Sequence, residues 1–314
     1  MGGSSAPVRH LLDVDDLSPA ELATILDLAE DPDPPRVLAG RGVALIFEKP
    51  SNRTRNAAEM AVTALGGHPV SIRGEEVGIG VRETPEDVAR VLARYHAVLG
   101  ARVDDHRTLE AMAATGVAPV LNLLSDRAHP TQALADLLTL RQLWGGLAGR
   151  RVAWVGDGNN VARSFLLAAA MSGMEVSLGS PPGYRLDPVV LDAARALGAR
   201  VVEADRPEEA VAGADAVATD VWVSMGQEDE AAARLDAFAG YQVDAELMRG
   251  AAEGAVFLHC LPAHRGAEVA AEVIDGPSSL VWEQAGNRMH ALRGLLVWVL
   301  AGGAAGHAVE RSTR

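Results

Sequence analysis

Cysteine is nearly absent from this sequence: Cys260 stands alone among 314 residues. No intrachain disulfide can form, and a cysteine-rich zinc site is excluded. A reducing compartment fits that usage, and the expected location is the cytoplasm. Long apolar runs are also missing, since the stretch LLVWVL at 295–300 fills only a turn or two of buried helix, far short of a membrane span. The opening MGGSSAPVRH has no apolar signal core, and Ala6 stands where a myristoylation pattern needs Ser or Thr. Basic charge is in deficit: 28 Lys and Arg face 42 Asp and Glu, for a net charge of −14. That balance argues against nonspecific binding to nucleic acid or an anionic membrane, although a local arginine cluster can still hold an anion. There is no internal repeat and no low-complexity block.

The sequence does contain a regular alternation of short apolar strands and amphipathic helices. Ser18-Pro19-Ala20-Glu21 is a capping box with proline at the first helical position, opening a helix to about Ala29. Strands are predicted at 42–47, 69–72, 96–102 and 118–123, separated by helices at 51–65, 84–95 and 106–114. A polar, glycine-rich loop is expected at 73–83, and a helix from about Pro130 to Leu143. The segment LWGGLAGR, 143–150, is the expected hinge. A second series of strands follows at 151–156, 175–179, 199–203, 215–220 and 256–260, with SLVW at 279–282 as a further candidate. The last helix is expected from about Gln284 to Leu300, with a frayed tail beyond it. The fold class is therefore α/β: two doubly wound domains, each a mostly parallel sheet flanked by helices, with a site in the cleft between them. The expected boundaries are 1–145, joined by the C-terminal helix of about 284–314, and 150–283.

In such folds ligands bind beyond the carboxyl ends of the strands. After the strand GVALIF come Ser51, Asn52, Arg53, Thr54 and Arg55 at a helix start. Free backbone N–H groups, hydroxyls and a guanidinium there suit a phosphate, although a plain helix cap with solvated arginines reads equally well from this stretch alone. Arg102 ends the next first-domain strand in which a cation appears, and His129 and Gln132 flank a helix start after the last. Singly, each is an ordinary surface charge or cap; together they describe a pocket for a small, highly charged anion. In the second half, VGDGNN superficially resembles a dinucleotide turn. Its third glycine is missing, and the following strand ends at Ser180 without the acidic group that holds a ribose, so nucleotide binding and dehydrogenase chemistry are disfavoured. Asn160 is placed to meet a carboxylate, and Asp220 to meet an ammonium group or to cap a turn. His259, Cys260 and His264 fit no common zinc spacing, so no metal is expected and the cysteine is read as lining a pocket. Arg288 either reaches back across the cleft or stays solvated.

These motifs converge. FEKPSNRTR, HPTQALADLLT, DVWVSMGQE and HCLPAHRG, in that order, resemble the aspartate/ornithine carbamoyltransferase family, and the last two resemble its ornithine branch. The likeness runs from about Leu11 to Leu300. It implies transfer of a carbamoyl group from carbamoyl phosphate to the δ-amine of ornithine, without a cofactor, in a homotrimer or a multiple of it. It implies that Ser51, Asn52, Arg53 and Thr54 hold the phosphate, and that Arg102, His129 and Gln132 bind the carbamoyl end. Asn160, Asp220, Ser224 and Met225 would bind ornithine, and Cys260, Leu261 and Arg288 would close the site. Arg102, His129, Thr54 and Cys260 carry the implied catalytic roles. Three positions depart from the pattern: Asn52 for threonine, Gly78 for a glutamine that relatives extend toward a neighbouring subunit, and Gly286 for glutamate. They leave room for a different amine acceptor, or for a catalytically weak binding protein.

Overall fold

The structure, a computed structural model, describes residues 8–224 and 226–301, apart from the side chain of Glu228. The chain builds two parallel sheets in sequence. The first has β1 (Gly42–Phe47), β2 (His68–Arg73), β3 (His96–Arg102) and β4 (Val120–Leu124), in the order β2-β1-β3-β4. The second has β5 (Arg151–Val155), β6 (Glu175–Gly179), β7 (Val201–Ala204), β8 (Ala216–Thr219) and β9 (Val256–His259), in the order β7-β6-β5-β8-β9. Every strand pairing is parallel. Interior strands β1, β5 and β8 are continuous apolar runs because helices cover both faces, whereas the edge strand β7 exposes Val202 and Glu203.

The connections that position the cleft are α1 (Pro19–Glu30), α2 (Asn52–Ala64), α3 (Gly74–Val77), α4 (Pro85–Leu92), α5 (His106–Ala114), α6 (Pro130–Trp144) and α7 (Asn160–Met171). The remainder are α8 (Pro188–Ala196), α9 (Pro207–Val211), α10 (Ala231–Ala237), α11 (Ala245–Arg249), α12 (Ala271–Ile274) and α13 (Val281–Leu300). The capping box at Ser18 forms as the sequence predicts: Glu21 N–H donates to Ser18 Oγ, and Ser18 N–H donates to Glu21 Oε2. Two expectations change. SLVW is not a strand: Ser279 makes one isolated bridge to Phe257, and the last helix already begins at Val281, because β9 ends the sheet and the chain turns into helix to cover the core. The loop at 73–83 contains the short helix α3, closed by Gly78 at φ +67°. The tail expected to fray, beyond 301, lies outside the described residues.

Helix α13 lies against α1, α2 and α6, so the last part of the chain packs on the first sheet's helices. Gly294 allows that approach: a Cβ there would stand 2.5 Å from Ile25 O and 2.6 Å from Ala29 N. Gly286, on the same helix, would meet nothing within 4 Å. The two glycines therefore predict opposite responses to alanine. Gly286→Ala is expected to stabilise by up to about 1 kcal/mol through helix propensity. Gly294→Ala is expected to destabilise by roughly 1–3 kcal/mol through overpacking. Denaturant midpoints of the two variants at unchanged slope test both signs.

Both sheets reverse their strand order at a definite point, the first between β1 and β3 and the second between β5 and β8. Register places Phe47 of β1 beside Arg102 of β3, and Arg102 beside Leu124 of β4, so three carboxyl ends share one edge. Thr219 of β8 likewise pairs with His259 of β9. Crevices of doubly wound sheets open at such reversals. Here the segments after β1 and β3 face those after β5 and β8 across one cleft.

Candidate active site

The cleft has a volume of about 870 Å³ and is walled by both halves of the chain. From the first half come Ser51, Asn52, Arg53, Thr54, Arg102 and His129. From the second come Asn160, Asp220, Ser224, Cys260 and Leu261, and Arg288 enters from α13. Gln132 lies behind this wall, joined to it through Arg288. Met225 is outside the described residues.

The first-half wall is built around the start of α2. Ser51 occupies the N-cap position but makes no side-chain cap bond, which leaves its hydroxyl and the first backbone N–H groups directed to other uses. Thr54 is buried, and its Oγ1 accepts from Arg288 Nη2 at 3.0 Å. Because arginine can only donate, the Thr54 hydroxyl proton stays available to a ligand. Asn52 accepts from Asn56 Nδ2 at its backbone O, 2.8 Å, and at Oδ1, 3.1 Å, so the departure from threonine turns that side chain along the helix. Arg55 points away and pairs with Glu59 at 2.8 Å.

Arg102 is only 8% exposed at the end of β3, and its buried Nε has no protein acceptor among the described residues. Burial first, then neighbouring Arg53, pulls its affinity for the proton down. Arg288 feels the same two influences: burial draws its pKa down to about 10, with Arg53 and Arg102 adding to the effect. Three guanidiniums converge on one pocket and none of them forms an ion pair among the described residues, an arrangement suited to an anion. Lys49 at the rim is already paired with Asp104 at 2.9 Å. His129 is buried at the N-terminus of α6, and its backbone N–H donates to Ser164 Oγ at 2.9 Å. Its pKa falls well below the ordinary value, through burial first and then through Arg288, Arg102 and Arg53. The ring is therefore neutral at physiological pH and offers a single N–H donor.

The second-half wall is acidic and hydrogen-bonded. Asp220, 5% exposed, accepts from Asn159 Nδ2 at 2.8 Å and from Cys260 Sγ at 3.0 Å. Asn159 also caps α7, accepting from Val161 and Ala162 N–H at 3.0 Å each. Sequence reasoning singled out Asn160 and passed over its neighbour; the N-cap position before VARS was the available signal. Asn160 lines the cleft, and its Nδ2 donates to Ser125 O at 2.6 Å, tying the second half to the first. The dinucleotide-like turn has another purpose: a Cβ at Gly158 would meet Leu186 N at 2.5 Å, so the glycine admits the chain's own segment 184–186. Arg234, also missed, binds Asp157 at 2.9 Å and the Trp222 carbonyl at 3.1 Å, fixing the base of the loop that carries Ser224. Leu261 sits at φ +59° before cis Pro262.

Asp220, His259 and Cys260 bring three potential metal ligands within 4.8 Å of one another. Both ring nitrogens of His259 are committed, Nδ1 accepting from Leu261 N–H at 2.9 Å and Nε2 meeting Glu268 at 3.2 Å, so the imidazole has no lone pair to give. Burial of the sulfur, reinforced by Asp220, raises the Cys260 pKa well above the usual thiol range. Alkylation by iodoacetamide at pH 8 is expected to be about tenfold or more slower than for a free thiol, because the thiolate is the reactive form. Peptide mass spectrometry over time reads this, and a rate equal to free cysteine would contradict the protonated thiol.

Two family models match adjoining parts of the chain: the carbamoyl-P binding domain of aspartate/ornithine carbamoyltransferase over residues 9–142, and its Asp/Orn binding domain over 148–299. The chain belongs to the aspartate/ornithine carbamoyltransferase family. The ornithine carbamoyltransferase of Acidothermus cellulolyticus is 49% identical over 94% of this chain and 98% of that protein. The ornithine carbamoyltransferase of Thermus thermophilus is 48% identical over 96% of this chain and the whole of that protein. Among solved structures, ornithine carbamoyltransferase from Pyrococcus furiosus superposes with a TM-score of 0.90 at 42% identity, covering 96% of this chain and 99% of that one. The Thermus thermophilus crystal structure gives 0.85 at 46% identity, over 93% of this chain and 98% of that one. Membership of the carbamoyltransferase family accounts for a cleft that is cationic on one side and carboxylate-lined on the other.

Proposed function

We propose that this protein transfers the carbamoyl group of carbamoyl phosphate to the δ-amine of L-ornithine, giving citrulline and phosphate. The observation that carries the reading is the opposition, across one cleft, of Arg53, Arg102 and Arg288 to the buried carboxylate of Asp220. Ser51, Asn52, Arg53 and Thr54 hold the phosphate at the α2 N-terminus. Arg102, neutral His129 and the Thr54 hydroxyl donate to the carbonyl oxygen as it gains charge, and Gln132 supports them through Arg288. Asn160, Asp220, Ser224 and Met225 bind the amino acid, Asp220 pairing with its α-ammonium. Cys260, as a neutral thiol, and Leu261 complete the wall.

Carbamoyl phosphate binds first, and the two halves then draw together over ornithine. The neutral δ-amine attacks the carbonyl carbon, the C–N bond forms, the C–O bond to phosphate breaks, and the amine proton leaves with the departing phosphate or solvent. No covalent enzyme intermediate is needed, and alignment of the two reactants supplies much of the rate. An alkyl amine has an unperturbed pKa near 10.4, and His129 stays neutral over the working range. The value of kcat/KM for ornithine is therefore expected to rise about tenfold per pH unit between about pH 6.5 and 9, with no break from histidine. A flat profile counts against rate-limiting attack by the free amine.

The deciding experiment incubates the purified protein with carbamoyl phosphate and a panel of amines: ornithine, putrescine, acylated ornithine and aspartate. Ureido product with ornithine alone supports the reading. Product only with another amine reassigns the acceptor, and none at all supports a binding role. A homotrimer is part of the same proposal. It is supported by the family resemblance and by the exposed apolar side chains Met60, Val81, Val91 and Tyr95, and light scattering tests it. Among the described residues no helix is long and apolar enough to cross a membrane. At Gly78, left-handed φ and a Cβ position 2.9 Å from Arg82 Cδ mean that a glutamine would be strained and would displace the Arg82 side chain.

A further inference from the structure

Behind the cleft, two helices interleave their polar residues. Gln132 and Asp136 stand one turn apart on α6, and Gln284 and Arg288 one turn apart on α13. Arg288 Nη1 donates to Gln132 Oε1. Gln132 Nε2 donates to Asp136 Oδ1 at 2.7 Å, and Gln284 Nε2 donates to the same oxygen at 2.7 Å. Gln284 Oε1 in turn accepts the His259 backbone N–H at 2.9 Å. From there His259 Nδ1 accepts the Leu261 N–H, and at the other end Arg288 Nη2 donates to Thr54.

The direction of every bond is forced. Arginine can only donate, so Gln132 must present its oxygen to Arg288 and its NH₂ to the carboxylate. Gln284 must give its NH₂ to that carboxylate and its oxygen to a backbone N–H. Neither amide can flip without leaving two buried polar groups unpaired, which is costly away from water. Gln132, Asp136, Gln284 and His259 are 1–3% exposed, so solvent offers no substitute partner. The chain of bonds starts at Thr54 in the donor wall and ends at Leu261 in the acceptor-side wall. Its single crossing into the second sheet is the bond from Gln284 to His259.

We propose that Asp136 and Gln284, which do not line the cleft, are positioning residues that set the acceptor-side loop His259–Pro262 according to the state of the donor pocket. The proposal rests on carbamoyl phosphate and ornithine being the substrates. A donor bound at Thr54 and Arg288 orders the near end of the chain, and Gln284 passes that order to the backbone on which Cys260 and Leu261 stand. The consequence is a reciprocal coupling: carbamoyl phosphate tightens the amino-acid site.

Norvaline, the ornithine skeleton without its terminal amine, lets both sites fill without reaction. Calorimetry of norvaline binding, with and without saturating carbamoyl phosphate, gives the coupling as a ratio of two Kd values. In the wild type the ratio is expected to be about tenfold or more, within the usual range of such couplings. Gln284→Met keeps the length and loses both bonds; Gln284→Leu loses both bonds with a shorter, branched side chain. In both variants the ratio is expected to fall to within about twofold of one, while carbamoyl phosphate binds alone as in the wild type. A merely structural role lowers the melting temperature and leaves the ratio intact. A wild-type ratio near one, or an unchanged ratio in whichever single variant folds, overturns the proposal. Citrulline formation by the wild type reads the underlying reaction separately.

Discussion

Replacing Arg102 with alanine is expected to lower kcat/KM for carbamoyl phosphate by about 10³-fold or more, since loss of one oxyanion donor alone costs about 10²–10³. The arginine stands where β3 ends, with β1 and β4 in register on either side, so its head lies between the phosphate segment and His129. No neighbour can take over: Arg53 lies on the phosphate side, and His129 has one N–H. The same substitution should leave the ligand-free protein no less stable. Arg102 is buried against Arg53 with its Nε unpartnered, and removing it relieves like-charge repulsion. Two opposite signs are thus expected from one variant, an unchanged or raised melting temperature without ligand and loss of the stabilisation that carbamoyl phosphate gives the wild type. Steady-state kinetics and thermal melts with and without carbamoyl phosphate check both. A variant that melts lower and still responds to the ligand would place Arg102 in the scaffold instead.

Those opposing signs reflect which features the sequence makes legible. Apolar runs such as GVALIF and RVAWV marked the strands because burial on both faces demands uninterrupted hydrophobicity. Residues immediately after strands were legible because a parallel sheet sends all its carboxyl ends to one edge; that is why Ser51, Arg102, His129, Asp220 and Cys260 meet. SLVW failed as a strand because a four-residue run ending in Val281 and Trp282 cannot be told from a helix start without knowing that the sheet ends at β9. Asn159 was readable from its helix N-cap position, whereas Arg234, Asp136 and Gln284 were missed for a common reason. Each has at least one partner 25 to 148 positions away, such as His259 and Asp136 for Gln284 and Asp157 for Arg234, and no local pattern encodes such a separation. Polar residues on the inner face of α6 or α13 look in sequence like ordinary solvent-facing positions.

At the opposite wall, Asp220→Asn is expected to reduce kcat/KM for ornithine by about 10²–10³-fold, the cost of truncating one partner of a buried charge pair, with the KM for carbamoyl phosphate little changed. Asp220 is held on both sides, by Asn159 and by the Cys260 thiol, so its carboxylate is oriented before any substrate arrives. The asparagine fits the same space but removes the charge that an α-ammonium requires. A second consequence separates loss of charge from loss of shape. Burial is the larger cause of the raised Cys260 pKa and Asp220 the next, so removing the carboxylate lets the thiol ionise at lower pH without making it ordinary. Alkylation of Cys260 in Asp220→Asn should therefore accelerate over the wild type at pH 8 and still lag a free thiol. Faster alkylation together with a selective ornithine defect locates the ammonium partner at Asp220. A variant that loses both substrates equally would instead mean that the carboxylate serves to hold the two halves of the cleft together.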